Sequence, residues 1–116
     1  MIDFDKGLGV STRVLDALAV RAKVILHNIA NQNTPGYKRY TVSFEDRLRA
    51  AHEAKQDETE VYPVVSRDTS GARGQNNVSP MEELGTLEKV KMLQEIFTRR
   101  VGSYFQHLNK AIRGHA

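Results

Sequence analysis

The feature that most constrains this chain is a pair of long, helix-periodic apolar stripes, one toward each end, with nothing comparable between them. Across residues 8–33, Leu8, Leu15, Leu18, Ala22, Ile25 and Ile29 recur at near-helical intervals, which sets them on one helix face. Val14, Leu26 and Ala30 widen that face, and Arg13, Asp16, Arg21 and Lys23 lie on the wet side. Across residues 79–113 the second stripe runs through Leu84, Leu87, Val90, Leu93, Ile96, Phe97, Val101, Tyr104, Phe105, Leu108 and Ile112. Ser79-Pro80-Met81-Glu82 predicts its start: serine at the cap, proline in the first turn and glutamate completing a capping box. Glu82, Glu83 and Glu88 come early, and after Glu95 only the cations Arg99, Arg100, Lys110 and Arg113 follow, as the helix dipole favours. The rhythm fits left-handed helix packing. The fold expected is mainly α, a single domain over 1–116 whose long terminal helices form an antiparallel, coiled-coil-like pair.

Residues 34–78 have a different character. Pro35 lacks an N–H and Gly36 accepts a positive φ, so the pair stops the first helix and predicts a type II turn. Thr41–Phe44 reads as a short strand or extended arm, and 44–51 as a helical turn or two. Val61-Tyr62-Pro63-Val64-Val65 is β-prone, with Pro63 restricting it to an edge or an isolated extension. Residues 69–77 are loop by composition. The middle is therefore expected to be an extended or partly disordered arm with little β structure. An amphipathic helix is stable mainly when its stripe is buried. Two such helices with little core between them predict a chain completed by assembly with other subunits.

Composition removes several classes of chemistry. The chain has 116 residues and no cysteine, which excludes disulfides, thiolate metal sites and a cysteine nucleophile. His27, His52, His107 and His115 are scattered, with no metal-ligand spacing. Asp57-Glu58-Thr59-Glu60 is a carboxylate run in a polar segment without an apolar wall to raise a pKa. Gly71 and Gly74 lack the Lys-Ser/Thr ending of a phosphate loop. No catalytic, cofactor or metal residues are assigned. Met1–Gly7 has no basic segment followed by an apolar one, so no cleaved signal peptide is expected. No run approaches the ~18–20 apolar residues of a membrane span, so no direct membrane insertion is expected either. A formal charge of +3 suits solubility. Tyr37-Lys38-Arg39-Tyr40 interleaves rings with bases, a pattern that stacks on single-stranded nucleic acid. Without a wider basic field, a small nucleic-acid-binding protein is the alternative and not the first reading.

The segment from Leu18 to Arg21, then Val24 through Asn28, Ile29, Ala30, Asn31, Gln32, Asn33, Thr34, Pro35, Gly36, Tyr37 and Lys38, resembles the N-terminal signature of the bacterial flagellar rod and hook family. Asn28, Ala30, Asn31, Thr34, Pro35, Gly36 and Tyr37 carry that likeness. Asn76-Asn77-Val78-Ser79 with Met81-Glu82-Glu83 is similar to the family's segment entering its last helix, and Leu108–Gly114 to a common ending. The resemblance implies a structural subunit of the proximal rod of the flagellar basal body, another proximal rod paralogue being the same-class alternative. It implies passage through the flagellar export apparatus without a cleaved signal, and a place in the periplasm-spanning, torque-transmitting rod. The partners it implies are copies of itself, other rod proteins and the adaptor at the rod base, with no nucleic acid. On this reading Leu15, Leu18, Ala22, Ile25 and Ile29, with Val90, Phe97, Val101, Tyr104 and Leu108, pack against neighbouring subunits. The large domain that hook and distal rod members insert between the helices is absent.

Overall fold

In a computed structural model, which describes residues 4–114, the two stripes find each other. His115 lies outside the described residues. The first helix, α1, spans Phe4–Ala30, beginning four residues before the expected start and ending short of residue 33. The last, α3, is an unbroken 34-residue helix over Pro80–Arg113, about 50 Å long at the α-helical rise. They run antiparallel: Asn28 faces Glu83 at one end, and Gly7 lies against Tyr104 at the other. Leu18, Ile25, Leu87 and Val90 are buried between them, with Val14, Ala22, Ile29 and Phe97 packed around.

The seam keeps a heptad rhythm on both sides. On α3 it passes through Glu83, Leu87, Val90, Gln94, Phe97, Val101 and Tyr104, steps of four and three. On α1 it passes through Gly7, Ser11, Val14, Leu18, Ala22, Ile25 and Asn28. Gly7 admits the Tyr104 ring, since a Cβ there would sit 2.6 Å from its hydroxyl and the ring would have to shift. Of the stripe residues, Leu18, Ile25 and Val90 are buried between the two helices, and Ala22, Ile29 and Phe97 pack on them. Leu15, Val101 and Tyr104 are half-buried. Leu108 alone of the assigned residues is exposed, at 55%. The two stripes of matching period thus form the expected antiparallel pair within the chain.

The middle segment is folded onto α1 beside the seam, Val14 touching both cores. Strands β1 (Tyr40–Ser43) and β2 (Val64–Arg67) pair antiparallel, Tyr40 opposite Arg67 and Ser43 opposite Val64. Between them come helix α2 (Glu45–Glu53) and a single 3-10 turn at Glu58–Glu60. Phe44, Ala51 and Val61 close over Ala17 of α1, with Val14 and Leu48 alongside. Arg13 fastens the return, its Nε donating to the Thr59 carbonyl at 2.7 Å and its guanidinium lying 4.3 Å from the Tyr62 ring centroid. Arg21 fastens the outward leg by donating to the Val42 carbonyl and to both carboxylate oxygens of Glu45. Those hydrogen bonds hold the Glu45 carboxyl below its ordinary pKa. Pro63 stands just before β2, consistent with its restriction to an edge. At the start of α3, Ser79 occupies the cap position but its side chain makes no capping hydrogen bond. The expected capping box is therefore not formed, although Pro80 sits in the first turn as predicted.

Candidate functional site: the clasp at the closed end of the helix pair

The signature segment after α1 folds into one hydrogen-bonded cluster with the segment before α3. Its turn is local. The Tyr37 N–H donates to the Thr34 carbonyl at 3.3 Å, with Pro35 second and Gly36 third at φ +73°. That is a type II turn, whose third position suits a residue without Cβ. Asn31 and Thr34 brace it: Asn31 Nδ2 donates to the His27 carbonyl at 2.9 Å, and the Thr34 hydroxyl donates to Asn31 Oδ1 at 3.1 Å.

Asn28 is the hub, and it is completely buried. Its Oδ1 accepts the Tyr40 N–H and the Tyr37 hydroxyl, both at 2.9 Å. Its Nδ2 donates to the Tyr40 carbonyl at 2.9 Å and reaches Glu83 Oε2 at 3.5 Å. One carboxamide thus imitates a neighbouring strand for β1, satisfying both outward backbone groups of Tyr40 while touching α3. A neutral amide holding two donors and two acceptors is the side chain that can do this. With the Tyr37 hydroxyl donating to Asn28, the 2.9 Å contact to His27 Nδ1 is a bond donated by the ring, which assigns the proton to Nδ1. Tyr37 is 9% exposed, and burial pushes its phenol pKa up, with Arg67 opposing.

The second signature answers the first. Asn76 Nδ2 donates to the carbonyls of Asn31 and Thr34, both at 2.8 Å, and so seals the end of α1. Asn77 Oδ1 accepts the Arg39 N–H at 2.7 Å, while its amide donates to the Asp68 and Ser70 carbonyls. Lys38 donates to the carbonyls of Ser70 and Ala72, holding the loop in place. Arg39 then ties three elements together: its Nε donates to Glu83 Oε1 at 2.6 Å and its Nη1 to Asp68 Oδ2 at 3.1 Å. Burial works against the Arg39 charge, but the bonds to Glu83 and Asp68 prevail and raise its pKa. Asp68 is lowered to about 2, by hydrogen bonds from Ser70 first and from Arg39 next. Among the described residues no buried side-chain polar atom lacks a hydrogen-bond partner.

Of the seven signature residues, Asn28, Asn31, Thr34, Pro35, Gly36 and Tyr37 have roles in this cluster, while Ala30 closes α1. The sequence reading gave Arg39 and Asp68 no part in the fold, and gave Glu83 only its place in the first turn of the last helix. Glu83 was recoverable, because a charged residue in register with Leu87 and Val90 falls on the seam. The basic-aromatic run of Tyr37 to Tyr40 is consumed inside the chain: Tyr37, Lys38 and Arg39 are engaged as described, and Arg67 stacks 4.1 Å over the Tyr40 ring. Among the described residues, no group of three or more histidine or acidic side chains could hold a metal ion, and no helix is long and apolar enough to cross a membrane.

An antiparallel pair of terminal helices, clasped at one end by two sequence signatures, defines a helical structural subunit. Its site is a fastening and not a cavity. No family model matches the chain. Relatives do. It is 28% identical to the flagellar basal body rod protein FlgB of Borreliella burgdorferi over 97% of this chain and 100% of that one. It is 27% identical to FlgB of Aquifex aeolicus over 99% of each chain. With FlgB of Bacillus subtilis the identity is 32%, over 82% of this chain and 84% of the relative. The chain belongs to the flagellar basal body rod protein FlgB family.

Proposed function

We propose that the chain is a structural subunit of the proximal rod, built into the periplasm-spanning shaft that transmits motor torque. The observation that carries this is the family relationship over nearly the whole chain. The clasp supports it physically, because a subunit under load needs its outward arm fixed to its helices, and Asn28, Arg39 and Asn77 fix it. Its partners on this reading are copies of itself, other rod proteins and the adaptor at the rod base. It leaves the cytoplasm through the flagellar export apparatus. The apolar residues still exposed on α3, notably Phe105, Leu108 and Ile112, supply the contact surface.

The test is recovery of an epitope-tagged copy with detergent-extracted basal bodies from its own host. Stoichiometric recovery with the rod is expected. A tagged protein found only in the soluble cytoplasmic fraction overturns the reading.

A further inference from the structure

The two edges of the small sheet are finished differently. On the inner edge, Asn28 takes both the N–H and the C=O of Tyr40, and Arg21 donates to the Val42 carbonyl. Tyr40 and Val42 therefore do not exchange backbone bonds with Arg67 and Val65, the residues opposite them. The bonds of the pair fall on the alternate positions, in step with the bond from the Asp68 N–H to the Arg39 carbonyl. The same alternation turns the N–H and C=O of Val65 and Arg67 away from β1. Those four groups have no hydrogen-bond partner among the described residues, and β2 is exposed along its whole length. Side chains cap the inner edge, and the outer edge stands open.

An open edge is a template for one more strand, and its side chains select what that strand carries. Val65 and Arg67 share a face of the sheet with Tyr40. Arg67 lies 4.1 Å from the Tyr40 ring centroid and 5.4 Å from that of Tyr37, and it donates to the Tyr40 hydroxyl. No carboxylate pairs with it among the described residues. Beside Val65, an open hollow of about 360 Å³ is walled by Lys23, Val24, His27 and Tyr40, again without a carboxylate. The acids that flank the strands, Glu45 and Asp68, are committed to Arg21 and Arg39. A second copy of β2 is a poor match: pairing through the same groups sets Val65 opposite Arg67 and brings the two Arg67 side chains to a diagonal on one face.

We infer that the outer edge of β2 accepts an extended, acid-bearing segment of a different chain as a third, antiparallel strand. Its backbone bonds to Val65 and Arg67, and a carboxylate stands opposite Arg67. An apolar side chain two residues on covers Val65 and reaches the hollow. The inference goes beyond the rod reading and does not depend on it.

The probe is the peptide acetyl-Thr-Thr-Glu-Thr-Val-Thr-Thr-amide, with a version carrying lysine in place of glutamate as the control. Each is titrated into the full-length chain while amide hydrogen exchange is followed by NMR. The glutamate peptide should slow exchange saturably at Val65 and Arg67, and leave Ser66, which already faces Thr41, unchanged. The lysine peptide should bind about fivefold more weakly. Arg67→Gln keeps hydrogen-bond donors without the charge and should bring the two peptides to equal affinity. Val65→Pro removes an N–H that β1 does not use, so its circular dichroism should match the parent while binding weakens about tenfold. No slowing at Val65 and Arg67, equal binding of both peptides by the parent, or undiminished binding by a folded Val65→Pro would each overturn the inference.

Discussion

Replacing Asn28 with aspartate changes one nitrogen for one oxygen, and the clasp predicts that the cost depends on pH. The substitution keeps the acceptor for the Tyr40 N–H and the Tyr37 hydroxyl, and removes the donor to the Tyr40 carbonyl. Losing that bond costs about 1 kcal/mol. The new oxygen also lies where Nδ2 stands, 3.5 Å from Glu83 Oε2. Two carboxylates at that separation repel by about 5 kcal/mol at an effective dielectric constant of ~20. Protonation offers an escape that costs less. Holding a carboxyl neutral at pH 7 against an unfolded pKa of ~3.9 costs about 4 kcal/mol, at ~1.4 kcal/mol per pH unit, and at pH 5 only about 1.5 kcal/mol. The sign follows from proton binding: the native state of the variant holds a proton that its unfolded state has released. The penalty is therefore present above the raised native pKa and relieved as pH falls. Asn28→Asp is expected to lose about 5 kcal/mol relative to the parent at pH 7 and about 2.5 kcal/mol at pH 5. Asn28→Ala, which removes the hydrogen bonds without adding charge, should cost the same at both values. Urea unfolding followed by circular dichroism at 222 nm measures all three proteins. A difference below ~1 kcal/mol between the two pH values for Asn28→Asp would refute the placement of Glu83 against Asn28.

Gly36→Ala puts a Cβ on a residue at φ +73° and should cost about 1–2 kcal/mol, read as a lowered thermal midpoint. Val90→Ala opens a cavity at a residue 2% exposed in the seam, and about 2–3 kcal/mol should be lost in the same melt. Asp68 has its pKa depressed to about 2, so its contribution to stability is complete above the ordinary carboxylate range and fades as pH falls toward 2. Carbon-detected NMR titration of the Asp68 carboxyl should place its midpoint well below the ordinary carboxylate range. Ile112→Asp, at a position 64% exposed, should shift stability by no more than about 0.5 kcal/mol while sharply reducing recovery in basal bodies.

The two helices were legible because their periodicity is local and long, and the stop at Pro35-Gly36 because its turn chemistry is local too. Their antiparallel pairing was legible too, because two stripes of matching 3-4 rhythm on one chain can cover each other. The register needed Gly7, which carries no periodic signal but admits the Tyr104 ring. The β pairing was invisible for a different reason. Tyr40 to Ser43 and Val64 to Arg67 are joined through α2 and the 3-10 turn and not through a tight hairpin, so no turn motif announces them. Asn28, Asn31, Asn76 and Asn77 stood out in the sequence as signature residues without a mechanism. Asn31 braces its own turn, but Asn28, Asn76 and Asn77 work on backbone groups elsewhere in the chain, and a carboxamide bonded to a distant carbonyl leaves no trace in its own neighbourhood.

The strand pair has one more consequence. The chain leaves the helices at Ser43 and returns at Val64, and those two residues are hydrogen-bonded neighbours. Everything between them therefore hangs from a closed gate. Lengthening a loop whose ends are already fixed costs only ~0.6 kcal/mol per doubling of its length. Phe44, Ala51 and Val61 rest on α1, so what the gate insulates the helices from is length added to the exposed turn after α2. Subunits sharing this frame are free to diverge in reach and outline while keeping the same axle.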